Sequence, residues 1–273
     1  MIKSDKIFSM DEIKYVHKNN LLSKINEKYK NKEKEIYDFL IEKYDPLHNK
    51  MIEACAREKI DFDYVTKLIN DYLKELDEFG SKNNITSQSK FRSTFLEEIS
   101  TYLFSNIPEV VDNKIGIFNK GIYAGMQIGP NLEVTLLKKD VDFCIGKKVD
   151  ITIDGTPYSI ILPLIAVEVK TYLDATMFGE VQFSSKAIKS ASPNARTYVL
   201  METNSVGKEK IIAARYDNNL TEMFVLRKDT DVPIKAAVLE DYYHEIVESI
   251  SEIGMSASID VPGRLINVFD YED

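Results

Sequence analysis

Two acids one residue apart, Asp140 and Asp142, and the tripeptide Glu168-Val169-Lys170 are the residues whose types and spacing carry chemistry in this chain. The tripeptide closes an apolar run from Ile160 to Val169, where a buried strand should hold no charge. Burying unpaired carboxylates and an ammonium costs several kcal/mol, so such a cluster needs a cation, a partner or a reaction to justify it. Side chains alternate along a strand, so Glu168 and Lys170 share one face while Val167 and Val169 take the other, and Asp140, Asp142 and Cys144 likewise share a face. If the two strands are neighbours, two or three carboxylates and one ammonium converge. That oxygen-rich set suits Mg²⁺, a hard ion that keeps several waters and bridges one or two carboxylates to a phosphate.

The spacing of an acid two residues before a lysine is weak evidence by itself, since Glu12-Ile13-Lys14 and Asp112-Asn113-Lys114 share it. The first falls in a predicted helix, where residues two apart diverge, and the second is polar enough for a turn. Only Glu168-Val169-Lys170 ends an apolar strand one hairpin after an acidic one. A further acid stands out in the helix predicted over 90–104, where Phe91, Phe95, Ile99 and Tyr102 form a buried stripe. Glu98 falls inside that arc and Glu97 outside it. A carboxylate on a packed face wants a partner, and Glu98 is expected either to accept from the metal site or Lys170, or to snorkel from the rim of the stripe.

The elements that position these residues follow from periodicity. Residues 1–80 read as a helical region, with helices over 11–30, 32–44, 47–59 and 61–79; Asp45-Pro46 breaks the second and Gly80 stops the last. The polar stretch 81–89 marks a boundary, so 81–273 is taken as a second unit. Strand-like segments follow at 110–118, 122–128 and 132–145, then at 149–153 and 157–170 across Asp154-Gly155, a strong hairpin signal. Asp174 is an N-cap for a helix over 175–189, and a strand is predicted over 197–202. Strands near 211–215 and 223–227 and a helix over 237–253 complete the chain. The middle of the chain thus reads helix, antiparallel strands, helix, strand, an α/β (α+β) pattern behind an N-terminal helical region.

Composition narrows the chemistry. With 44% hydrophobic residues in 273 the chain supplies an ample core, and its longest apolar stretch is too short to cross a bilayer. The N-terminus lacks the apolar core of a signal peptide, so a cytoplasmic protein without membrane contact is expected. Two cysteines far apart and three scattered histidines give neither a disulfide framework nor zinc spacing, so any metal must be held by oxygen. No G-x-S-x-G and no serine beside a histidine argue for a metal-free hydrolase. A net charge of −9 disfavours indiscriminate polyanion binding but leaves localised binding open, because lysines gather in small groups. Lys186, Lys189 and Arg196 are candidates for contact with phosphates flanking a cleavage point.

The order of helix with an inward Glu, Asp on a strand, Glu-x-Lys on the next, then helix and strand resembles the PD-(D/E)xK nuclease superfamily. Within it the stretches FRSTFLEEIS, KDVDFCIG, VEVKTYLDATMFGE and SPNARTYVLMETNS, spread over residues 89–205, are similar to the BbvCI-type restriction endonucleases. The resemblance implies a PD-(D/E)xK core, a mixed central sheet flanked by helices, with a metal-binding Asp at Asp142, the second carboxylate at Glu168, the catalytic lysine at Lys170 and the helical glutamate at Glu98. No proline precedes the Asp, and Asp140 competes with Asp142 as the principal ligand, with Asp142 favoured for its place in the apolar run Val141, Phe143, Ile145.

What the resemblance implies is a Mg²⁺-dependent, sequence-specific endonuclease acting on double-stranded DNA, one catalytic subunit of a dimeric Type II restriction enzyme paired with a homologous partner or with itself. Two other readings share the motifs: a structure-selective repair or recombination nuclease, and a non-catalytic DNA-binding subunit.

Overall fold

In the computed structural model of the chain, residues 15–214, 216–217 and 219–254 are described. Five helices come first: α1 (Val16–Glu27), α2 (Glu33–Phe39), α3 (Asp45–Cys55), α4 (Phe62–Lys82) and α5 (Phe91–Phe104). A π-helical turn, Leu40–Tyr44, joins α2 to α3 with helical backbone throughout, so Asp45-Pro46 does not break the helix, contrary to expectation; the wider turn just before it lets the chain take in a residue without an N–H. Asp61 caps α4 by accepting from the Tyr64 amide, and the stripe Val65, Leu68, Ile69, Tyr72, Leu73, Leu76 is buried as its spacing requires. The helix expected from residue 11 begins at Val16 among the described residues; residues 11–14 lie outside them.

A short helix, α6 (Pro108–Val111), then leads to β1 (Gly116–Phe118), β2 (Ile122–Ile128), β3 (Val134–Lys139), β4 (Phe143–Ile153), β5 (Thr156–Leu173), α7 (Ala175–Ala191), β6 (Arg196–Asn204), α8 (Lys208–Ala214), β7 (Glu222–Val225) and α9 (Ala236–Gly254). The central sheet runs β1-β4-β5-β6-β7, antiparallel through β5 and parallel from β5 to β7, so it is a mixed sheet as expected. The β4–β5 hairpin turns at Asp154 and Gly155, both with left-handed φ (49° and 79°), as a two-residue turn that follows strand twist demands. At Gly146 the register shifts, and a Cβ there would stand 2.4 Å from the Leu162 carbonyl oxygen; only glycine fits.

One face of the sheet packs Phe143, Ile145, Val167, Val169, Tyr198 and Leu200 against α5 and α9, in a core continuous with the N-terminal helices. The other packs Cys144, Ala166, Val199 and Met201 against α7 and the base of β2. Helical region and sheet thus share one core, and the position 80/81 falls inside α4. No helix among the described residues is long and apolar enough to cross a membrane.

Three further expectations are corrected. The segment 132–145 is not one strand: β3 ends at Lys139 and pairs only with β2, in a separate two-stranded ribbon, while β4 starts at Phe143 in the central sheet. Residues 140–142 are the break between sheets, so Asp140 and Asp142 do not share a strand face. Residues 110–118 are mostly helix and turn, with strand only at 116–118. The strand expected near 211–215 is helix through Ala214, because Ile211 packs on the α7 side of the sheet while Ile212 stays exposed, a one-sided burial that a helix satisfies.

Candidate active site at the end of β5

The β4–β5 ladder ends at Phe143 opposite Val167, and beyond it the Asp142 side chain takes over the pairing. Its Oδ2 accepts the Val169 amide at 2.8 Å. That bond sits between the two charged residues of β5 and fixes which way they point. Lys170 Nζ donates to Glu168 Oε2 at 2.9 Å and reaches Asp142 Oδ2 at 3.4 Å, so one ammonium bridges two carboxylates. Ser184 Oγ, on α7, lies 3.4 Å from Glu168 Oε1. The three charged side chains keep 18–28% of their surface open, so the cluster faces solvent rather than being sealed in the core.

Burial raises the Glu168 carboxyl above its ordinary value; Lys170 pulls it back and Asp142 adds to the rise. For Lys170, burial favours the neutral amine, but Asp142 and Glu168 together outweigh it and hold the ammonium above its usual range. Lys170 is therefore charged at neutral pH, a donor of three hydrogen bonds with no lone pair to offer.

The glutamate of α5 that meets this cluster is Glu97, not Glu98. Glu97 and Asp142 line the same cavity of 320 Å³, together with Thr101, Phe143, Lys148 and the β1 segment. Burial, with repulsion from Asp142 second, pushes Glu97 up to about 8, against the pull of Lys170. Glu98 faces the other way. It is fully buried, its Oε1 accepts from the hydroxyls of Tyr44 (2.7 Å) and Tyr102 (2.6 Å), and its Oε2 accepts from the His17 amide at 2.9 Å. This carboxylate ties α1 and the π-helical turn before α3 to α5 and bonds neither Asp142 nor Lys170. Glu98 lies on the packed face as the helical spacing implied, with Glu97 less buried, but that face is covered by the N-terminal helices, so the partners of Glu98 come from them and not from the strand cluster.

Asp140 is also elsewhere: its Oδ1 accepts the Gly121 amide at 2.9 Å, closing the base of the β2–β3 ribbon. Of the phosphate-contact candidates, Lys186 is exposed, while Lys189 is half-buried, its pKa lowered by burial and by Arg196. Arg196 pairs with Glu252 and donates to Ser249 Oγ at 3.1 Å, so its guanidinium is held by α9. Sequence reasoning assigned none of Glu97, Ser184, Lys120 and Lys139 to the site. The last two lie near enough for Lys120 to lower the Glu97 pKa and Lys139 that of Glu168.

Among the described residues no group of three or more carboxylates, histidines or cysteines is arranged to enclose a metal ion. The donor set nevertheless fits one kind of ion. Two carboxylates with solvent access are what Mg²⁺ takes from a protein when waters and a phosphate complete its shell, and there is no sulfur or imidazole here for a softer metal.

Residues 88–248 match the model of the family described as Bpu10I restriction endonuclease. The fold is similar to that of a chain of the native BbvCI A2B2 tetramer, with a TM-score of 0.70 at 20% identity over 92% of this chain and 100% of that one. No curated protein sequence matches the chain.

Proposed function

The chain belongs to the Bpu10I restriction endonuclease family, and we propose that it is a catalytic subunit that hydrolyses one strand of a DNA duplex at the Asp142, Glu168 and Lys170 cluster, with Mg²⁺ as cofactor. The observation that carries the reading is the single ammonium shared between Asp142 and Glu168 at a solvent-facing strand end. Asp142 and Glu168 are the residues that would hold the ion, with Glu97 as a third carboxylate facing Asp142 from α5. When bound, such an ion neutralises charge on a scissile phosphate and acidifies a water beside it.

The chain's own side chains do the rest. The Lys170 ammonium, held charged, donates to a nonbridging phosphate oxygen and to the attacking water, orienting both for in-line attack. It acts as a positioning donor and not as a base. Asp142 has a second task, since its bond to the Val169 amide sets the direction of Glu168 and Lys170. Ser184, at the edge of Glu168, supplies a neutral hydroxyl against that carboxylate.

One such cluster serves one strand, so duplex cleavage requires a second subunit; the solved BbvCI assembly is a tetramer of the A2B2 kind. We take the partner to be a related endonuclease chain or a second copy of this one. Digestion of a sequenced phage genome with Mg²⁺, with and without a candidate partner, tests the reading. Discrete, reproducible fragments are the expected outcome. Smearing, or cleavage only at ends and junctions, points instead to a structure-selective nuclease.

A further inference from the structure

The β2–β3 ribbon stands apart from the central sheet, and only its base is buried: Ile122 packs with Val141, Cys144, Ala166 and Ile188, and Gly125 passes the end of α7 at Ala191. Beyond Gly125 both strands are largely exposed, including large apolar side chains, Ile128 at 72% and Leu132 at 83%. Leu132 is moreover held at φ 65°, an unusual conformation for a branched residue. The tip is nonetheless ordered by its own bonds: the Gly129 amide donates to the Glu133 carbonyl, and Glu133 Oε2 accepts the Asn131 amide at 2.9 Å. The one acid of the segment 120–139 is thus spent on backbone, leaving three lysines, Lys120, Lys138 and Lys139, in a chain of net charge −9. Among the described residues none of the three makes an ion pair, and two of them act electrostatically on the acids of the candidate site.

The geometry points to the β2–β3 ribbon as the element that enters the major groove and reads bases beside the cleavage point. The cations at its root lie where the backbone of a bound duplex must pass, and the family's ligand is DNA. A two-stranded ribbon fits a major groove about 12 Å wide, and six residues of β3 extend about 20 Å, the length of about six base-pair steps. Gln127 and Thr135 are paired across the ribbon and both exposed, so they share a face and offer amide and hydroxyl groups to base edges. Met126, Ile128 and Leu132 are the apolar groups available to thymine methyls.

The test does not depend on the chain's own catalysis. Both native cysteines are buried, so Asn131→Cys presents one reactive thiol for tethering iron–EDTA. The labelled full chain, assembled with its partner subunit and bound in Ca²⁺ to a plasmid fragment that the wild type protects, is expected to cut that fragment within one helical turn of the protected stretch. Two outcomes overturn the assignment: the labelled complex shifts the fragment as the wild type does yet the iron cuts nothing, or labelling breaks the subunit assembly, which would make the ribbon a protein contact. As a second reading, Gln127→Ala with Thr135→Ala is expected to weaken binding to the protected fragment tenfold or more while leaving binding to random-sequence DNA unchanged. Affinities for the two DNAs both unchanged from wild type sink base reading by this ribbon.

Discussion

Asp142 Oδ2 accepts the main-chain amide of Val169 at 2.8 Å, a side chain completing a strand ladder that the backbone has abandoned. Because that amide lies between Glu168 and Lys170, one bond sets the aim of two charged side chains. Asp142→Asn keeps an acceptor for the amide, whereas Asp142→Ala leaves it without one. A hydrogen bond to a charged group contributes about 1.5–3 kcal/mol, so the alanine variant should be less stable than the asparagine variant by about 1–2 kcal/mol. Urea denaturation of the two proteins measures the difference; equal midpoints would mean that the bond does not hold this end of β5.

Divalent ions should stabilise the fold through the same residues. Mg²⁺ or Ca²⁺ at a hundredfold excess over its dissociation constant adds about 2.7 kcal/mol to a protein that binds it only when folded. The melting temperature is expected to rise in the wild type and to stay put in Asp142→Ala. A wild-type curve unmoved by either ion would count against a metal site here.

The two neighbouring glutamates of α5 should separate cleanly by assay. Glu97→Gln removes a carboxylate that faces Asp142 across the cavity, and is expected to lower cleavage tenfold or more without loss of stability. Glu98→Gln disturbs a carboxylate that receives Tyr44, Tyr102 and the His17 amide, so the cost falls on stability while the cleavage rate per folded complex stays within a few-fold. The reverse pattern would put the helical glutamate back at Glu98.

The buried network also predicts a dependence on pH. Burial raises Glu98 from 4.5 to about 7, so its contribution is fully present below pH 4.5 and is lost as pH rises through 7. His17, fully buried and lowered by burial from 6.5 to about 3, acts with opposite sign: its contribution is present above 6.5 and fades as pH falls toward 3. Over 4.5–6.5 the two slopes oppose each other. At about 1.4 kcal/mol per pH unit, wild type should lose on the order of 3 kcal/mol relative to Glu98→Gln between pH 4.5 and 7. Denaturant midpoints of both proteins across that range test it, and a constant gap would show that Glu98 is already ionised at the acid end.

Much of the site was legible because it obeys the two-residue period of a strand. Ile160 to Val169 reads as a buried strand, and Glu168 and Lys170 break it on one face only, which is where they stand. The Asp154-Gly155 turn was legible for an equally local reason, since few residues tolerate two left-handed positions in succession. The restriction endonuclease family and the mixed sheet were reached through the resemblance of four stretches within 89–205, and not from these local patterns. What sequence patterns missed depends on long-range packing. The spacing rightly put Glu98 on the packed face of α5, but it could not show that the N-terminal helices cover that face and supply its partners, Tyr44 and the His17 amide, while the less buried Glu97 meets the cavity with Asp142. The break at 140–142 was hidden because β3 and β4 are both strands and differ only in the partner each one finds.

Lys170 gives the most direct test, because its ammonium is the group that joins the two carboxylates. The measurement is cleavage of a supercoiled plasmid by the complete complex in Mg²⁺, with Lys170→Ala in this chain and the partner subunit intact. Expected is a complex that binds the plasmid as wild type does and converts it only to the nicked circle, or not at all where the partner is a second copy carrying the same substitution. Linear product at the wild-type rate would contradict the account and leave the cluster a structural ion pair.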